Sequence, residues 1–489
     1  MRFSLCYSVR IKGEGGDGKM RAGKIYDFMA VVIRDIVDNV SDDFLQKYHA
    51  MAQEKRIRLN EELKNEFSEL YSDDYLSIEK LEDKAFFDKL DRFRKECTRE
   101  GEYDKLINLL SKLDLTLKMQ IDLYIKCFEE EKLRMQLTGK LDGEGTYGCL
   151  NSNVEECSVQ LLPRCSCQWM HNSRDDVASV SLNNFLNSCY YVCMEFLNGY
   201  KINHLYFYNK FVEVAEEKCL KVGITPLFNG AEINVVYPEV NGVNRFEITE
   251  VMNTDDLAAC ALKQLELARE EGVDILCYPE MLGTEKVMDA LQGKLKEFPD
   301  GKGLYPSLIV CPSIWKENKN ICHVLDRNGN LAASQEKQYP FPYVHRGIEY
   351  LENIKPDKTV NILHCNGPGR IAVLICKDAL QRKHLYMLLE HLKVTLILIP
   401  SFSTGNYDFG EIIQMCRAYD CCAVWINTCS AQHLEEATQE KLERIGLVVR
   451  TGKNSSGLQN ENCDFIRKNK GCNGEGTQDC ANCLYVQRL

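Results

Sequence analysis

Arg370-Ile-Ala-Val-Leu-Ile-Cys376-Lys-Asp378 is a run of five apolar residues that stops abruptly on a cysteine and two charges. Such a run reads as a buried strand that delivers Cys376 to a sheet edge. A cysteine at a strand-to-loop junction is held rigidly near backbone N–H groups that can face a reacting carbonyl, and only its thiolate attacks. On these residues alone, a cysteine that merely packs is the better explanation of the pattern.

Two upstream stretches end on strands in the same way but with different chemistry. Val273-Asp-Ile-Leu-Cys-Tyr-Pro-Glu280 is an apolar strand that places a carboxylate at its terminus. Residues Asn320 to Lys337 read as strand, Asn328-Gly329 turn and returning strand, with the lysine at the end of the second arm. Lys337 follows Glu280 by 57 residues and Cys376 follows by a further 39. An isolated glutamate or lysine at such a place is usually a solvated loop end; the order and the strand before each residue carry the argument.

In this order of Glu280, Lys337 and Cys376 the chain resembles the nitrilase (carbon–nitrogen hydrolase) superfamily, from about Phe228 to about Ala431. Leu392 to Pro400 looks like the strand after the nucleophile's helix, and Cys416 to Asn427 like a later helix-strand pair. The resemblance implies an α/β fold, a four-layer αββα sandwich, and a site that needs no cofactor and no metal. It also implies a second carboxylate between lysine and cysteine. Glu349 is the best match by its distance to Pro356, and Glu352 is the rival. Lys377 stands where the family often has an aromatic residue, and it is taken with Ser401 as substrate-binding.

The mechanism follows from the residue types as well. A thiol with an ordinary pKa near 8.5 is mostly protonated at neutral pH, so Glu280 must take its proton. Lys337 supplies positive charge beside the thiolate and the oxyanion, with the Lys377 N–H as a second donor. The expected reaction is hydrolysis of a small linear amide, nitrile or carbamoyl compound through an acyl-cysteine intermediate. Two rivals are a catalytically inactive dimerisation scaffold and a regulatory or antiviral defence module, of the kind joined to reverse transcriptases.

The chain has 489 residues, 45% hydrophobic and 27% charged, which suits a soluble protein of two or three domains. Its net charge of −12 argues against direct nucleic-acid binding. No apolar run reaches membrane-span length, and the 24 scattered cysteines suit a reducing, cytoplasmic setting. Residues 1–225 read as a mainly α-helical domain with a possible protein-partner role. Leu106, Leu109, Leu110 and Leu113 show helical spacing, and Val177 to Val222 is also read as helical.

Within that half, Gly13 to Lys19 lacks the hydroxyl of a phosphate loop, and Tyr71-Ser-Asp-Asp74 reads as a helix boundary rather than a polymerase motif. Residues 138–175 form a Gly/Cys-rich loop whose Cys157, Cys165, Cys167 and His171 lack a metal-knuckle spacing. The hydrolase domain is expected over 228–489, starting with a strand at Glu232–Tyr237 and a helix from Asp255 capped by Thr254. It ends in a tail of about 452–489 that carries Cys463, Cys472, Cys480 and Cys483. The small-molecule hydrolase is expected as a homodimer or higher oligomer, paired through Leu385, Leu388, Leu389, Ile412 and Met415.

Overall fold

A computed structural model describes residues 23–71, 83–127, 157–169, 181–207, 211, 219–297, 305–403, 410–433, 444–451, 463–467 and 480–489. The Gly13–Lys19 stretch, residues 72–74 of the Tyr-x-Asp-Asp stretch, His171, Cys472 and most of 138–175 lie outside them. The chain divides into two compact units, Met1–Arg164 with Asn172–Leu197, and Cys165–His171 with Asn198–Leu489.

The first unit contains helices α1 (Gly23–Asn39), α2 (Asp42–His49), α3 (Gln53–Glu66), α4 (Lys84–Glu100) and α5 (Tyr103–Cys127). Ser41 and Asp83 cap α2 and α4 by accepting backbone N–H groups of the first turn. Gly101 closes α4 in the left-handed conformation that favours glycine. Leu106, Leu109, Leu110 and Leu113 are buried on α5 against Met29 and Ile33 of α1. Strands β1 (Val159–Pro163) and β2 (Cys189–Cys193) form an antiparallel pair in this unit. The buried Asp114 on α5 accepts the N–H groups of Asn187 and Ser188 just before β2.

The second unit begins earlier than residue 228, and its opening is β-structure rather than helix. Its strands are β3 (Lys201–Tyr206), β4 (Lys221–Ile224), β5 (Ile233–Val236), β6 (Glu239–Val240) and β7 (Val243–Val251). Helix α6 (Thr254–Glu270), β8 (Ile275–Cys277) and α7 (Glu285–Lys296) follow, then β9 (Leu308–Val310), β10 (Ile314–Lys316), β11 (Lys319–Asp326) and β12 (Leu331–Glu336). Next come β13 (Pro342–His345), β14 (Ile348–Glu352), β15 (Thr359–Cys365) and β16 (Gly369–Val373). Helix α8 (Arg382–Tyr386) runs into a π turn, Met387–His391, and precedes β17 (Leu396–Pro400) and α9 (Gly410–Ala418). The last strands are β18 (Cys422–Ile426), β19 (Arg444–Val449), β20 (Cys463–Arg467) and β21 (Tyr485–Arg488).

Among the described residues these strands make two large sheets. One runs β10-β11-β9-β8-β4-β21, with β12 also on β11; the other runs β20-β19-β18-β17-β16-β15-β3. Helices α6 and α7 bury Leu257, Leu265, Val287 and Leu291 with Leu276 and Ile309 of the first sheet. Helix α9 packs on β18 and β19 of the second. The two sheets meet through Asn361 on β15, whose side chain donates to the Ser334 carbonyl on β12 at 2.8 Å. The architecture is α/β, a four-layer αββα sandwich, with the helical unit N-terminal to it.

Five expectations change. Val177–Val222 reads as helical in sequence, but β2 and β3 occupy it, and Tyr190, Tyr191 and Tyr206 lie on strands. The strand at 233–236 is not the first of its unit, since β3 and β4 precede it, and it belongs to a separate small sheet, β13-β14-β7-β5 with β6. Thr254 is the first residue of its helix, with Asn253 in the N-cap position. The C-terminal segment ends as β21, which completes the first sheet against β4, while Cys480 is buried in the core beside α6. Finally Leu385, Leu388, Leu389 and Ile412 are buried within the single chain, so they are spent on its own core and are not a free pairing face.

Candidate active site

Four of the expected site residues lie just beyond a strand. Glu280 follows β8, Lys337 directly follows β12, Cys376 follows β16, and Ser401 directly follows β17. The first two strands belong to one sheet and the last two to the other, so the site sits where strand ends of both sheets converge. The Glu280 N–H reaches the Ser401 carbonyl at 3.3 Å and ties the two sheets together there.

Glu280, Lys337 and Cys376 are buried, with 0%, 1% and 3% exposure. Lys337 Nζ lies 2.7 Å from Glu280 Oε1 and 2.8 Å from Glu352 Oε2. Burial works to discharge the ammonium, but the charges of Glu280, Glu352 and Cys376 outweigh it and hold its pKa well above the ordinary lysine value. Glu280 accepts two further hydrogen bonds, from Asn320 Nδ2 at 2.8 Å and from the Phe402 N–H at 2.8 Å. Both of its oxygens are therefore held in fixed directions.

Cys376 stands at φ +46°, a left-handed conformation that a non-glycine residue adopts only when its surroundings impose it. The tight Cys376–Leu380 turn that follows takes the chain away from the sheet. Burial pushes the thiol pKa up, Glu280 pushes it further, and Lys337 and the Ser401 hydroxyl pull it down. Burial thus favours the protonated sulfur. Ser401 is itself buried beside that sulfur. Lys377 follows the cysteine in a half-buried position.

Glu349 does not join this group. It lies exposed on β14 opposite Val344, whereas Glu352 on the same strand is fully buried. Besides Lys337, Glu352 accepts the Phe341 N–H at 2.9 Å and Asn320 Nδ2 at 3.4 Å. Burial, reinforced by the charge of Glu280, holds its carboxyl above the usual carboxylate range against the pull of Lys337. The second carboxylate beside the lysine is thus the rival named from sequence.

Asn320 and Asp378 were not singled out in the sequence. Asn320 opens the first arm of the hairpin and donates to both glutamates, a role that its polar side chain at the start of an apolar strand hints at. Asp378 is one of the two charges that end the opening stretch, and it accepts the N–H groups of Gln338 and Tyr339 at 3.0 and 2.8 Å. Among the described residues no cluster of three or more histidine, cysteine or acidic side chains is placed to hold a metal ion.

No protein family matches the chain, and no curated protein matches it. Among solved structures, a mutant of the amidase from Nesterenkonia sp. AN1 with acrylamide added at its active-site cysteine is similar at 15% identity. The likeness covers 43% of this chain and 78% of that one, with a TM-score of 0.29. Saccharomyces cerevisiae Nit3, a member of branch 10 of the nitrilase superfamily, is similar at 12% identity over 47% of this chain and 82% of that one, with a TM-score of 0.34. In the chain order of glutamate, lysine and cysteine, and in the layers that carry them, the C-terminal half of this protein resembles the nitrilase superfamily.

Proposed function

We propose that this chain hydrolyses a non-peptide carbon–nitrogen bond in a small linear amide, nitrile or carbamoyl compound, through an acyl-cysteine intermediate. The observation that carries the reading is the burial of a carboxylate, an ammonium and a thiol together at converging strand ends. Taking such charges out of water costs several kcal/mol each (about that, before pairing), so a purely structural core would do better with apolar side chains of the same volume. That cost weighs against the inactive-scaffold reading.

For an amide, Glu280 takes the Cys376 proton as the sulfur attacks the carbonyl carbon. The oxygen that gains the electron pair is stabilised by the Lys337 ammonium and the Lys377 N–H. Collapse of the adduct expels the amine, which leaves with the proton held by Glu280. Water, losing a proton to Glu280, then attacks the thioester, and the acid departs as the thiol reforms. Glu352 keeps Lys337 oriented toward the reacting centre, and Ser401 faces the same sulfur.

Incubation with a panel of small aliphatic amides, followed by peptide mapping, tests this. An acyl adduct is expected on Cys376, with amine release that Cys376→Ala abolishes while leaving the melting temperature within a few degrees. Full amine release by Cys376→Ala would refute the assignment.

A further inference from the structure

We infer that Tyr200 is a positioning residue for Lys337, acting through a phenol-to-phenol clamp on Tyr339 that fixes the loop after β12. The inference rests on the hydrolase reading only for its effect at Cys376. The clamp itself is a matter of geometry.

The backbone of that loop is held on one side by Asp378, which accepts the N–H of Gln338 and of Tyr339, the two residues that follow Lys337. Asp378 lies two residues beyond Cys376, so one carboxylate joins the nucleophile's turn to the end of the lysine's strand. The Tyr339 side chain extends to the other side, where its hydroxyl lies 2.6 Å from that of Tyr200. The Tyr200 ring in turn stacks on His384 with centroids 4.9 Å apart and planes 4° from parallel. His384 is buried on α8, the helix that follows the nucleophile's turn.

Tyr339 is therefore gripped at both ends by the segment that carries Cys376, directly through Asp378 and, by way of Tyr200, through His384. Ring stacking on His384 needs only a flat apolar face, which phenylalanine would supply. The hydroxyl at position 200 adds nothing to that packing; its partner is the second hydroxyl, on the loop of the lysine. Asn198 and Gly199, at φ +51° and +74°, turn the chain so that Tyr200 reaches this place at the start of β3.

The test uses the full chain as wild type, Tyr200→Phe, Tyr339→Phe and the double variant. Hydrogen exchange at the Gln338 and Tyr339 amides reports the clamp. Iodoacetamide alkylation of Cys376, with the half-exposed Cys219 as internal reference, reports its consequence. Each single variant should exchange about tenfold faster at those amides, because their local opening loses one anchor. Each should alkylate Cys376 roughly fivefold more slowly, with a higher pH midpoint, since a looser Lys337 favours the thiolate less. Cys219 should be unchanged.

The double variant should match either single one, because the two hydroxyls make one interaction. Wild-type exchange in Tyr200→Phe, or additive effects in the double variant, would overturn the clamp. If Tyr200→Phe fails to fold, Tyr339→Phe removes the same interaction from the other side and carries the test. Should wild-type Cys376 take up no acyl group from the panel of small amides, the hydrolase reading falls, and the exchange rates still decide the clamp.

Discussion

Glu349 and Glu352 lie three residues apart on β14, and side chains at odd separations on a strand point to opposite faces. Only one of them can turn inward toward Lys337, and it is Glu352, which pairs with Phe246 of β7 and lies 2.8 Å from the ammonium. Glu349→Gln is therefore expected to leave turnover within about twofold, as surface changes usually do. Glu352→Gln should reduce it on the order of a hundredfold or more, since it weakens the hold on the charge that the proposed reaction uses in its transition state. Parallel steady-state kinetics on one substrate decide this, and equal losses for the two variants would contradict it. Asn320→Leu should lie between them, because it removes two donors to the glutamates without touching the lysine. The strand-end glutamate, lysine and cysteine were legible in sequence because apolar runs point to them. The fourth carboxylate was not, because distance to a later proline says nothing about which face of a strand turns inward.

Among the elements, β3 and β4 change how the chain can be cut. Strand β4 sits between β8 and β21, pairing parallel with one and antiparallel with the other. A chain starting at Phe228 loses it and β3 together, and leaves unpaired edges on both large sheets. Such a chain should aggregate or melt without cooperativity by circular dichroism. One starting at Asn198 keeps every sandwich strand and should melt cooperatively. It still lacks Trp169, whose buried ring donates from Nε1 to the Thr395 carbonyl at 3.0 Å, so it should melt several degrees below the full chain, about the shift expected for a few kcal/mol. A cooperative, full-temperature melt of the Phe228 chain would show that β3 and β4 are dispensable. These two strands were missed in sequence because they are short and interrupted by polar residues, so period-two alternation never accumulates over enough positions.

For the whole molecule, buried titratable groups set how folding responds to acid. Burial lowers His204 to about 3 and His384 to about 4, and holds His364 well below the ordinary histidine value. An unfolded histidine binds a proton near pH 6.5 that the folded one refuses. Their stabilisation is full above that pH and is lost as the pH falls toward the folded values. Asp378 works in the opposite sense. Burial raises it to about 8, so the folded state holds a proton that the unfolded carboxylate has released, and this contribution is lost as pH rises from about 4 toward 8. His204→Gln should therefore lose less stability than wild type between pH 7.5 and 5, by on the order of 1 kcal/mol per pH unit below 6.5. Asp378→Asn should lose more. Urea titrations across that range read both slopes, and an unchanged slope in His204→Gln would mean that His204 takes up its proton in the folded state.

By itself the sequence marked the amphipathic helices of the first part and the place of Glu280, Lys337 and Cys376, each at the end of a strand. Those follow from hydrophobic periodicity and from apolar runs that stop at a reactive side chain, both of which are local. Only the tertiary structure decided that Glu352 rather than Glu349 meets the lysine, and that Asn320 and Asp378 hold the charged groups in place. It alone decided that the C-terminal segment returns as β21 beside β4, and that Tyr200 reaches Tyr339 across 139 residues of chain. Each of these depends on which faces and ends are brought together when the sheets stack, and that is a property of long-range register rather than of any stretch read alone.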